Sequence, residues 1–64
     1  MTKTVDTTTG EITLRNAMID SDGTNLLEGV EISQDGEVIF EWIGYIDLDD
    51  EEEVERLLMH FDLN

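Results

Sequence analysis

Sixty-four residues suffice for one domain and not for two, and 17 Asp plus Glu against 3 Lys plus Arg give a formal net charge of −14. That charge excludes direct nucleic-acid binding, since a phosphate backbone rewards cations and repels carboxylates, and it opposes docking on anionic membranes for the same reason. The chain has no cysteine, hence no disulfide or thiolate metal site, and no apolar run of signal or membrane-span length, so the expected compartment is a reducing cytoplasm.

Taken in chain order, residues 1–10 are expected as a short edge strand or a partly ordered arm. Lys3–Asp6 reads as that strand, and Asp6-Thr7-Thr8-Thr9-Gly10-Glu11 as the turn into a second strand from Glu11 to about Ile19. There Ile12 and Leu14 alternate with Thr13 and Arg15, the period of a half-buried strand. Asp20-Ser21-Asp22-Gly23-Thr24-Asn25 is a loop. Leu26 and Leu27 begin either a helical turn or another strand.

A hairpin follows. Val30 and Ile32 alternate with Glu31 and Ser33, Asp35-Gly36 supplies the turn, and Val38, Phe40 and Trp42 alternate with Ile39, Glu41 and Ile43. A two-residue turn would pair Ile32 with Ile39, whereas a three-residue loop with a bulge at Gly36 would pair Ile32 with Val38. The second arrangement gathers Val30, Ile32, Val38, Phe40 and Trp42 on one face, so it is the expected one. A one-residue slip would reverse that sorting.

Val54, Leu57, Leu58 and Phe61 stand at i, i+3, i+4 and i+7, one apolar stripe of a helix over about 49–62. Asp47 or Asp49 is the expected cap, and acidic residues fill the first turn where the helix dipole favours them. The expected architecture is therefore α+β: an antiparallel β-meander of three or four strands with one C-terminal helix packed on one face, all within a single domain 1–64.

Catalytic chemistry finds little support. His60 is the single histidine, and the chain has no glycine-rich phosphate loop and no nucleophile–base set. Asp20, Asp22 and Glu31 occupy positions one, three and twelve of a calcium-loop spacing, but Asn25 stands at position six, where the turn glycine is required. No enzyme, cofactor or metal site is expected.

The remaining chemistry is negative charge. Asp47, Asp49, Asp50, Glu51, Glu52, Glu53 and Glu55 put seven carboxylates into nine residues. At about 1.5 Å rise per residue, a helix carrying them would approach the charge spacing of duplex DNA, roughly one per 1.7 Å. On the expected register Glu31, Glu37 and Glu41 face away from the core. Ile39, Ile43 and Tyr45 lie among them, either as an apolar centre in an acidic rim, with Tyr45 as its anchor, or covered by the N-terminal strand or a second copy. Self-repulsion on this scale destabilises a compact state, which suggests that the field is used.

In size, acidity and lack of catalytic groups the chain resembles small inhibitors encoded by phages and mobile elements, some of which block nucleic-acid-binding surfaces of host defence or repair proteins. That likeness of character implies an anti-defence DNA mimic whose partner is a protein with a basic, nucleic-acid-binding surface. The alternative is a non-catalytic interaction or assembly protein, in some cases a homodimer, that is acidic because its surroundings are salty. Scarce lysine fits that alternative, whereas six isoleucines and a single alanine, Ala17, fit it less well.

Overall fold

A computed structural model describes all 64 residues. Four strands, β1 (Thr2–Thr7), β2 (Gly10–Asp20), β3 (Leu26–Gln34) and β4 (Glu37–Ile43), form one antiparallel sheet in the order β1-β2-β3-β4, followed by the helix α1 (Glu51–His60). This is the expected meander with a C-terminal helix, at the upper of the two strand counts. Residues 1–10 resolve as an edge strand and its turn, with Val5 opposite Ile12 and Lys3 opposite Leu14. Leu26 and Leu27 begin β3 and are not a helical turn.

One sheet face carries the core. Ile12 and Leu14 from β2 and Val30 and Ile32 from β3 pack against Val54, Leu57 and Leu58 of α1, with Leu48 and Leu63 closing the two ends. Fully burying each such side chain is worth about 1.5–3 kcal/mol, and in so short a chain these few carry most of the stability. Within the segment that leads from β4 into α1, Leu48 is 1% exposed. The Asn16 side-chain amide holds that segment down by donating to the Ile46 carbonyl at 3.0 Å.

The second hairpin departs from both registers considered. Asp35 and Gly36 have φ of 55° and 81°, the positive pair of a two-residue hairpin turn, for which Asp-Gly is among the best sequences. Gln34 faces Glu37 and Ser33 faces Val38 across it, yet Ile32 faces Phe40, so Ile39 is an extra residue in β4. Strict alternation from that turn would send Phe40 and Trp42 to the uncovered face. The bulge at Ile39 shifts them by one and returns them to the helix side, where Trp42 packs against the core and Phe40, still 38% exposed, stacks on Phe61. Val38, paired with Ser33, lies on the opposite face and not with the core. Glu37 shares the helix-side face with Gln34, so the expected row of Glu31, Glu37 and Glu41 is broken and only Glu31 and Glu41 stand opposite one another.

The helix starts at Glu51, two residues later than expected. Asp50 is its N-cap, accepting from the Glu52 and Glu53 amides at 3.0 and 3.4 Å. Neither Asp47 nor Asp49 caps it: Asp47 accepts from the Asp49 amide and its carbonyl accepts from the Asp50 amide, both at 3.0 Å, which builds the turn before the helix. At the far end the Leu63 amide reaches back to the Leu58 carbonyl at 2.8 Å and the Asp62 amide to Met59 at 3.1 Å. Asp62 adopts φ 56°, so this is a left-handed helix termination with Leu63 tucked into the core.

Candidate protein-binding surface

The acidic run is brought to one end of the molecule, in a different shape from a rod. Only Glu51, Glu52, Glu53 and Glu55 are helical, while Asp47, Asp49 and Asp50 wrap around the helix N-terminus. The rise that suggested a DNA-like line of charge therefore applies to less than one and a half turns. Beyond that, the carboxylates form a cluster around the helix end, partly opposed by the helix dipole, equivalent to about half a positive charge.

Two flanks of α1 differ in chemistry. On the β1 side a groove of about 420 Å³ is lined by Lys3, Asp6, Glu51, Glu52 and Glu55 with Val5 and Leu58 beneath. Lys3 is the one cation in it and forms no ion pair with the four carboxylates. On the β4 side a cleft of about 260 Å³ lies between Trp42 and Leu57, with Glu53, Arg56 and His60 at its rim. His60 meets the Trp42 ring edge-on at 5.0 Å, and Phe61 stacks on Phe40 at 4.6 Å. Trp42 thus belongs to the margin of the core, as its pattern suggested, and His60 sits in an aromatic cluster.

The face of the sheet away from α1 is uncovered. Arg15, Glu31 and Glu41 form one row across it. The Arg15 guanidinium donates to the Glu31 carboxylate, making the sole ion pair of the protein. Of the predicted residues on this face, Glu31 is neutralised within the chain and Glu41 is free of ion pairing. β1 extends the sheet and does not fold over it, so it leaves Ile39, Ile43 and Tyr45 exposed at 37%, 46% and 62%. Half of the exposed large hydrophobics, Val38, Ile39, Phe40, Ile43 and Tyr45, gather on or beside β4; alternation points to Ile39, Ile43 and Tyr45, whereas it places Val38 and Phe40 in the core.

The Asp20–Asn25 loop satisfies its own carboxylates. Asp22 accepts from the amides of Thr24 and Asn25, both at 2.9 Å, and from both their side chains, while Asp20 accepts from the Gly23 amide at 2.7 Å. The backbone donors of Thr24 and Asn25 hold the Asp22 carboxyl down at about 2. No helix is long and apolar enough to cross a membrane. No protein-family profile matches the sequence, and neither a curated protein nor a solved structure is significantly similar to it.

Proposed function

We propose that this protein is a non-catalytic binding protein that occupies a basic, nucleic-acid-binding surface of another protein by presenting carboxylates in place of phosphates. The observation that carries this reading is the concentration of Asp47–Glu55 carboxylates at one end of a folded scaffold, with no cation paired to any of them. A field of that sign speeds encounter with cationic surfaces and rejects anionic ones. Asp6 and Glu51, Glu52 and Glu55, which line the groove beside β1, give the field a concave centre able to admit lysine or arginine side chains.

Asp50 and Asp47 hold the helix start together, so a clean test leaves both in place. Asp49→Asn with Glu51→Gln, Glu52→Gln and Glu55→Gln removes four charges from positions whose side chains make no hydrogen bond within the chain. Immobilised native protein should capture nucleic-acid-binding proteins from a host lysate at low salt and release them to added duplex DNA. The neutralised variant should capture them at least about tenfold less well, a loss of roughly 1.4 kcal/mol. Equal capture by both, or capture indifferent to DNA, would overturn the reading.

A further inference from the structure

The two edges of the sheet are unlike. β1, at one edge, presents Thr2, Thr4 and Thr7 with Lys3 and Asp6 and no exposed large apolar side chain. Polar edges carrying lysine are the usual protection against strand addition. β4, at the other edge, presents Val38, Ile39 and Phe40 at 48%, 37% and 38% exposure and Ile43 at 46%, and it contains no cation. Its backbone groups on the side away from β3 are unpaired, as at any sheet edge.

We propose that the β4 edge takes an extended segment of the partner protein as a fifth strand, one whose side chains alternate between basic and apolar. This deepens the reading above, on which it rests for the sign of the partner's charge. Alternate residues of an added strand would lie beside the two faces of β4. On the helix side its neighbours would be Phe40 and Trp42, with Phe61 stacked on the first and His60 edge-on to the second, so apolar side chains fit there. On the open face Glu41 stands between the half-exposed Val38 and Ile43, and its cross-strand partner Glu31 is already paired with Arg15, so a lysine or arginine beside Glu41 fits there. Main-chain hydrogen bonds supply affinity in such an arrangement, and the alternating pockets supply selectivity. A second copy of this chain is the poorer occupant, because it would bring another −14 and set its own Glu37 and Glu41 against this edge.

The test titrates the isotope-labelled full chain at low salt with three synthetic peptides about eight residues long, the length of a strand. One alternates lysine and valine, one alternates threonine and valine, and one is all lysine. The lysine–valine peptide should shift the β4 amides and slow their hydrogen exchange, and the threonine–valine peptide should bind there at least about tenfold more weakly. Val38→Lys and Ile43→Lys change half-exposed positions, so they should weaken the lysine–valine peptide about tenfold or more while leaving amide dispersion intact. If lysine–valine and all-lysine peptides bind equally and only around Asp47–Glu55, strand addition is wrong while the cationic partner survives. If threonine–valine matches lysine–valine at β4, the basic partner is wrong. Absence of any β4 response, or a β4-mediated dimer of the free chain in sedimentation, also overturns the proposal.

Discussion

Three single residues bear constraints that their neighbours do not. Asp62 terminates α1 in the left-handed region, which costs a residue with a side chain roughly 1–2 kcal/mol and glycine much less. It also sets a negative charge at the negative end of the helix dipole. Asp62→Gly should therefore stabilise by about 1 kcal/mol, a rise of roughly 4–8 °C in a thermal melt for a chain this small; an unchanged or lower melting point would refute the helix termination described. Gly29 is constrained by space. A Cβ there would overlap the Trp42 carbonyl oxygen and approach Ile19 Cγ1 to 2.8 Å, so Gly29→Ala must push β3 and β4 apart. Overpacking of this kind costs about 1–3 kcal/mol, enough to broaden or abolish the melt of a marginal domain. Asp22 gives the pH-dependent case. Its folded pKa is lowered from 3.8 to about 2 by the Thr24 and Asn25 donors, so its contribution is present above about 4 and is lost as pH falls toward 2. Carboxyl resonances followed by NMR should place the Asp22 midpoint near 2, with Thr24 and Asn25 amide exchange rising over the same window beyond its intrinsic pH trend.

At the scale of elements, the helix start both stabilises the fold and carries the binding surface, and chemistry can separate the two. Asp50→Ala removes the cap and should cost about 1 kcal/mol, whereas Asp50→Asn keeps the acceptor, removes the charge and should cost at most a few tenths. If asparagine destabilises as much as alanine, the Asp50 charge and not its hydrogen bonding holds the first turn. The stripe Val54, Leu57, Leu58 and Phe61 was legible because helical spacing is a local property, and so was the Ile12–Leu14 strand. Less legible was the Asp35-Gly36 hairpin. Its turn type follows from local backbone preference, but the bulge at Ile39 follows from which side chains the helix buries, a tertiary demand that sequence alternation does not record. The displaced Glu37 and outward Val38 are consequences of that one residue. Leu48 and Leu63 escaped the periodic reading because each lies outside a regular element, one before the cap and one after the left-handed Asp62. The candidate site was legible as composition, as a helix start and, for Ile39, Ile43 and Tyr45, as an outward row, while the acidic groove between β1 and α1 needed the helix to be placed on the sheet.

For the molecule as a whole, the net charge of −14 is spread over a Cα radius of gyration of 11.3 Å. With one ion pair, and with Lys3 and Arg56 outside any, little of that charge is cancelled in place. At roughly 0.01 M salt the screening length is about 30 Å, so every carboxylate acts on every other; at about 0.15 M it is near 8 Å, so only neighbours do. Folding concentrates these charges, and the repulsion opposes it most at low salt. The melting temperature should therefore climb steeply between those two concentrations and flatten above them, after long-range repulsion has gone. Screening depends on ionic strength and not on cation identity, so sodium chloride and choline chloride should act alike. A melt that ignores salt would mean that the charges are compensated within the fold. A rise with sodium or magnesium but not with choline would mean that bound cations neutralise the acidic end, in which case a basic partner would have to displace them before it could bind.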